Sequence, residues 1–169
     1  MEEKTASGRE QLRYEIRAGR REEWQDAMAL AWRTFLRYEA PDYTDEGVRN
    51  FCDFVTDQML YRMFVSGFYP MFVAVRDDSM IGMITLRNEN LISLLFVDEK
   101  YQRRGVGDRL IAAMKRYLLK ENRKKVLRVN AAPSAVGFYR KLGFAATAEE
   151  ICEKGIRYTP MELTVSGEG

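Results

Sequence analysis

The chain contains no histidine. That excludes a Ser-His-Asp or Cys-His nucleophile and any His-ligated zinc centre. A general base here must be a carboxylate, a tyrosine, a lysine of depressed pKa or a relayed water. Cysteine is nearly as scarce. Cys52 and Cys152 lie far apart and outside any CxxC pair. This suits free thiols in a reducing compartment better than a disulfide framework. Neither thiol has a base or a helix N-terminus evident beside it, so neither reads as a nucleophile. No apolar run approaches the roughly 18 residues of a membrane span. The polar start, Met1 to Gln11, lacks the apolar stretch of a signal peptide. The expected location is the cytoplasm. Charge of one sign is also missing: 27 Lys and Arg face 25 Asp and Glu. A net +2 offers no broad basic face for a nucleic acid.

What is present is a core-forming chain. Of its 169 residues, 46% are hydrophobic and 31% charged, the balance of a globular protein. No Pro/Gly/Ser linker, repeat or low-complexity block divides it. One domain over residues 12–165 is expected, with flexible tails at 1–11 and 166–169.

Tyr14-Glu15-Ile16-Arg17 alternates as a short strand. Trp24, Ala27, Met28, Ala31, Trp32 and Phe35 recur at helical spacing, and Pro41 closes that region. Thr44 or Asp45 can cap a second helix, with Val48, Phe51, Cys52, Val55, Met59 and Met63 on one stripe. Met71 to Val75 is an apolar run of central-strand type. Asp77-Asp78-Ser79 turns it into a return strand, Met80 to Leu86. After a turn at Asn88-Glu89-Asn90, Leu91 to Val97 is another buried strand. A helix follows Gly105, then a strand at Val126 to Val129, then a short helix from about Ala135 to Leu142 stopped by Gly143. Phe144 onward pairs with Ile156 to Val165 around Glu153-Lys154-Gly155. The predicted fold is α/β (α+β): a mixed, mostly antiparallel sheet with helices on both faces. Only 91–97 and 126–130, joined by a helix, need be parallel.

The most informative stretch is Leu91 to Leu110, LISLLFVDEKYQRRGVGDRL. A buried strand ends at Val97, and a polar connection leads to Gln102-Arg103-Arg104-Gly105-Val106-Gly107 at a helix start. Unpaired amides and a partial positive charge bind anions there. The glycines let the backbone approach a phosphate closely. Arg103, Arg104 and Arg109 add long-range attraction. The segment is not GxxxxGK[ST], and it lacks the third glycine of GxGxxG. Alone, it would as soon be a glycine turn with no ligand.

A second stretch, residues 126 to 144, reads VLRVNAAPSAVGFYRKLGF. Together the two resemble the GNAT superfamily of N-acetyltransferases. The first resembles its Q/R-x-x-G-x-G/A acetyl-CoA motif. The second resembles its A-x-x-F-Y-x-K-x-G-F segment, with Ala135, Phe138, Tyr139, Lys141, Gly143 and Phe144 in place. The element order agrees over most of the chain.

The resemblance implies that the two parallel strands splay at their C-terminal ends and admit the pantetheine arm of acetyl-CoA against Phe96 and Val97, like an added strand. It places the pyrophosphate on the segment Gln102, Arg103, Arg104, Gly105, Val106, Gly107 and Asp108. A backbone N–H near Phe96 or Val97 would polarise the thioester carbonyl. Asn130, Ala135 and Phe138 join the cofactor-binding set. Tyr139 matches the family's general acid; packed under the sheet, it would instead be a core residue. Asn130 stands in for an asparagine some members carry where this chain has Ala132, and otherwise caps a strand end. The glutamate some members use as base falls on Leu91. The base is therefore unassigned, with Glu89 two residues away, or a water chain, as alternatives.

Glu39, Asp42 and Tyr43 follow the first helix, where such folds place acceptor-binding residues; otherwise they form a solvated loop. Phe51, Phe54, Phe64, Phe68 and Tyr69 supply core, with a few left over for an acceptor pocket. The implied reaction moves acetyl from acetyl-CoA to an amine acceptor in a ternary complex, without metal, nucleic acid or membrane. The alternative is a non-catalytic acyl-CoA sensor or interaction module of the same fold. A homodimer through the C-terminal strands or a sheet edge is compatible with this fold class.

Overall fold

The computed structural model describes residues 11–122 and 125–165. The tails expected at 1–11 and 166–169 lie outside the described residues, apart from Gln11. Among the described residues no helix is long and apolar enough to cross a membrane.

The elements run β1 (Glu15–Ala18), α1 (Trp24–Tyr38), α2 (Asp45–Val55), α3 (Gln58–Val65), β2 (Met71–Arg76), β3 (Ser79–Arg87), β4 (Leu91–Val97), α4 (Val106–Tyr117), β5 (Val126–Ala131), α5 (Val136–Lys141), β6 (Ala145–Ala146), β7 (Ile151–Glu153) and β8 (Ile156–Thr164). The strands form one sheet in the order β1-β2-β3-β4-β5-β8-β6, with β7 pairing β8. β4 and β5 are parallel; every other pair is antiparallel. The helices pack on two faces. α1, α2 and α3 cover one, around Trp24, Phe35, Tyr69, Met83 and Phe96. α4 and α5 cover the other, around Ile84, Leu110, Met114, Leu127 and Tyr139.

One expected helix is two. Asp57 accepts a hydrogen bond from the Met59 amide at 2.8 Å and caps a new helix after Val55. The break resets the helical phase. Leu60 turns inward and Phe64 stacks on Trp24 at 5.0 Å. Met59 and Met63, expected on the buried stripe, are 56% and 36% exposed. The C-terminal pair is also split, into β6 and β7 against separate parts of β8. Thr44 caps α2 by accepting from the Gly47 amide at 3.2 Å, and Gly143 takes the left-handed φ of +100° that stops α5.

The feature that positions the site is a bulge in β4. Pairing with β3 steps from Thr85↔Leu94 to Leu86↔Ile92, so Ser93 is an extra residue. A buried chain of hydrogen bonds holds it. The Leu94 amide donates to Thr85 Oγ1 at 3.1 Å, Thr85 donates to the Tyr69 hydroxyl at 2.9 Å, and Tyr69 donates to Ser93 Oγ at 2.8 Å. Tyr69 and Thr85 are both 0% exposed. Burial pushes the Tyr69 phenol up to about 12, so it stays a donor.

Before the bulge β4 pairs with β5, and the Arg128 amide donates to the Asn90 carbonyl at 2.8 Å. The parallel register stops at Leu91↔Arg128 and Ile92↔Val129. Beyond it the strands part. We expect Tyr69→Phe, which leaves Thr85 and Ser93 without their shared partner, to cost about 1–3 kcal/mol of stability. Urea unfolding of the two proteins measures this, and an unchanged midpoint would remove the network from its structural role.

Candidate active site

The gap between β4 and β5 opens into a cleft of about 380 Å³. Its lining brings together residues remote in sequence. Glu39 and Tyr43 come from the end of α1 and the connection beyond it, and Phe51 and Phe54 from α2. Ser93 to Phe96 come from β4, Asn130 to Ala132 from the end of β5, and Ala135 and Tyr139 from the next turn and α5. Glu153, Lys154, Ile156 and Tyr158 come from the β7–β8 hairpin. Of the aromatic-rich region, Phe51 and Phe54 face the cleft, Phe64 and Tyr69 belong to the core, and Phe68 is 73% exposed.

The backbone of β4 supplies the polar edge of the cleft. The Asp98 amide donates to the Ile81 carbonyl at 2.8 Å, so residues 94, 96 and 98 turn their N–H groups toward β3. Leu95 and Val97 therefore turn theirs toward the gap. Of the two residues expected to offer an amide, Phe96 or Val97, the alternation turns that of Val97 toward the gap, while Phe96 lines the cleft. The Val97 carbonyl is already taken: Gln102 Nε2 donates to it at 2.9 Å. The Gln102 side chain thus braces the loop against the strand.

The Arg103–Asp108 segment has an anion cradle's geometry. Arg103 and Gly105 adopt positive φ of 61° and 83°, and no side chain caps α4 at Gly105. The first helical bond runs from the Arg109 amide to the Gly105 carbonyl at 3.1 Å. The amides ahead of it are the open N-terminal donors of the helix. Val106 is buried, whereas Arg103, Arg104 and Asp108 are exposed. The Arg109 guanidinium lies 4.9 Å from the centre of the Tyr14 ring and is engaged there. A Cβ on Gly107 would sit 3.1 Å from Phe138 Cζ. The two sequence motifs therefore touch, and Gly107 leaves room for Phe138.

Glu39 and Tyr139 are the titratable pair of the cleft. Tyr139 is 5% exposed, with Phe138 and Phe144 edge-on at 5.1 and 5.2 Å. Burial, and next the charge of Glu39, hold its phenol above the usual tyrosine range. It keeps its proton throughout the physiological range. Glu39 retains some exposed surface as a residue, but its carboxyl end is enclosed. Burial pushes it up to about 7 despite the nearby Tyr43 hydroxyl, and Asp42 adds repulsion. Its position at the C-terminal end of α1, where the helix dipole opposes an anion, works in the same direction. Glu89 is placed elsewhere. It is exposed in the turn before β4, with φ +70°, outside the cleft lining and at the opposite end of the strand from Val97. It is no neighbour of the gap.

The hairpin roofs this arrangement. The Thr44 amide donates to the Gly155 carbonyl at 3.2 Å, and Asn50 Nδ2 to the Lys154 carbonyl at 3.4 Å. A Cβ on Gly47 would collide with the Gly155 carbonyl, and one on Gly155 with the Thr44 hydroxyl. Only glycines allow this approach. Nothing in the sequence motifs marked the hairpin, Ser93 or Arg87 as cleft residues. The one available signal was Arg87, a charge closing an otherwise apolar strand.

A sheet with one parallel pair, parted beyond a bulge and followed by a glycine-rich helix start, defines an acyltransferase fold. The chain belongs to the GNAT acetyltransferase family: the model of the acetyltransferase (GNAT) domain matches residues 39–165. It is an acyltransferase of that family. Solved structures agree in fold. A GCN5-related N-acetyltransferase from Rhodopseudomonas palustris is 23% identical, with 89% of this chain and 94% of that chain covered and a TM-score of 0.75. PaiA N-acetyltransferase from Thermoplasma acidophilum, solved with coenzyme A, is 20% identical over 90% and 99%, with a TM-score of 0.71. A point mutant of the spermidine N-acetyltransferase SpeG from Vibrio cholerae is 15% identical over 90% and 94%, with a TM-score of 0.64.

The enclosed Glu39 carboxyl carries a stability signature. Its folded pKa, about 7, lies above the ordinary glutamate value, so its full contribution to stability is present below that ordinary value and is lost as pH rises through about 7. The loss amounts to roughly 3 kcal/mol at the top of that window. We expect Glu39→Gln, which has no charge to bury, to gain stability relative to the parent between pH 5 and 8. Urea unfolding across that range tests it; a constant difference would mean the carboxyl is solvated.

Proposed function

We propose that the chain transfers acetyl from acetyl-CoA directly to a primary amine in a ternary complex, within one domain spanning residues 12–165. The observation that carries this is the placement of Glu39 and Tyr139 on one cleft. One is a carboxyl poised near neutrality, the other a phenol that keeps its proton.

The residues present suit the cofactor. The Leu95 and Val97 amides would receive the pantetheine arm as an added strand. The backbone of Arg103 to Asp108 would receive the pyrophosphate. Asn130, Ala135 and Phe138 would complete the wall. Acetyl-CoA supplies an activated acyl carbon and a thiolate leaving group. Glu39 accepts the proton of the incoming ammonium, which frees the nitrogen lone pair. The Val97 N–H stabilises charge developing on the carbonyl oxygen. As the C–N bond forms and the C–S bond breaks, Tyr139 donates its proton to the sulfur, and the second proton shed by the acylated nitrogen restores the phenol. The coenzyme A complex of PaiA and the N-acetyltransferase activity named for SpeG support this reading by analogy of fold.

The test is release of CoA thiol from acetyl-CoA across a panel of amines. The parent kcat/KM should rise with pH through about 7, as Glu39 loses its proton. Glu39→Gln should lower kcat by about 10²-fold or more and abolish that rise. Tyr139→Phe should lower kcat by a similar factor while CoA affinity stays within about twofold. Tight CoA binding with no thiol release on any amine would instead favour a non-catalytic acyl-CoA-binding module.

A further inference from the structure

Glu39, Arg87, Glu153 and Lys154 line one cavity, and none of them forms an ion pair among the described residues. Glu39 forms no ion pair among the described residues, and the groups that act on it are Tyr43 and Asp42, neither of them cationic. Arg87 and Lys154 also line the cleft, and neither forms an ion pair among the described residues. Their placement is ordered. Arg87 ends β3, two residues beyond Thr85 and four beyond Met83, so strand alternation puts its side chain on the α1–α3 face. It pairs with Leu91, two residues before Ser93. Arg87 therefore stands at the Ser93 end of the cavity. Lys154 stands at the hairpin tip. The remaining hairpin acid, Glu153, accepts from the Tyr158 hydroxyl at 3.0 Å and is engaged within the hairpin. Glu39 stands beside Tyr43 and acts on the Tyr139 phenol. Phe51, Phe54 and Ile156 form the apolar stretch of the lining.

A substrate complementary to this wall carries both a positive and a negative group. A polyamine would set its second ammonium against Arg87 and Lys154 rather than against an acid. A lysine on a folded protein would have to pass the roof that Gly47 and Gly155 pin down. We propose that the acceptor is a small amine that also bears a carboxylate, with Arg87 and Lys154 receiving the carboxylate while the amine sits at Glu39. This rests on the acetyl-transfer reading above and adds the substrate class to it.

The experiment compares amines with and without the acid group: phenylalanine with phenethylamine, 4-aminobutyrate with butylamine, plus spermidine and a lysine-containing peptide. Thiol release is measured on each, and so is binding of each to the CoA-loaded protein by titration calorimetry. In at least one pair the acid-bearing member should show a kcat/KM ten-fold or more above its partner, with the difference in KM. Arg87→Glu should reverse that preference and improve spermidine relative to the amino acid. Arg87→Gln should bring the pair toward equality, with unchanged melting as the check on folding.

Decarboxylated amines or spermidine equalling the acid-bearing compounds would overturn the inference. So would an unchanged ratio in Arg87→Glu. Should no amine release thiol, the binding arm still decides: Arg87-dependent binding of the amino acid sustains this inference while the catalytic reading falls, and no binding removes both.

Discussion

The cleft depends on what β4 does with its backbone hydrogen bonds. A strand in the middle of a sheet normally spends amides on both neighbours. Ser93 inserts one residue, so the amides that met β5 before the bulge face β3 after it, and the opposite set faces open space. Parted strands would leave buried polar groups unsatisfied unless something replaced the missing ladder. On one side the Thr85–Tyr69–Ser93 relay does so from within the protein. On the other, Gln102 satisfies the Val97 carbonyl, and the Leu95 and Val97 amides face the gap. The open edge is therefore a polar template.

Glu39 illustrates the tension between holding a fold and running a reaction. A carboxyl enclosed without a cation destabilises the native state whenever it ionises. A well-solvated carboxylate would remove that cost, but its low pKa would make it a poor acceptor for an ammonium proton at neutral pH. The same enclosure also acts on Tyr139, whose phenol it keeps protonated. In the reaction proposed above, one environment thus sets the two groups in opposite roles without a histidine, the residue this chain lacks.

The glycine-rich helix start and its contact with α5 were largely legible in the sequence. Gly105, Gly107, Phe138, Tyr139 and Gly143 carry backbone or packing requirements that few other residues meet, so their spacing survives as a motif. The strand order followed from apolar runs and turn residues in the same way. The acceptor side was less legible, because its requirements are tertiary. Glu39 and Tyr43 could be named from their place after the first helix, but the enclosure that changes Glu39's chemistry comes from residues far along the chain. Glu89 attracted notice by its nearness in sequence to a strand and lies in a turn. Arg87 and Lys154 have no local signature, since any surface charge looks the same until a cavity forms beside it. The break at Asp57 was missed because the apolar positions of α2 and α3 happen to keep helical spacing across it. A capping carboxylate, not the periodicity, decides where the second helix begins.

The sheet separates two hydrophobic cores, and the two halves of the proposed chemistry are divided in the same way. The glycine-rich loop and Tyr139 rest on the core built with α4 and α5, whereas Phe51, Phe54 and the helix carrying Glu39 rest on the one built with α1, α2 and α3. Changes in one core reach the other only across the strands between them. Such a molecule can drift in what it accepts while its grip on the donor is kept, so a lineage of these chains can diversify its substrates by repacking one side alone.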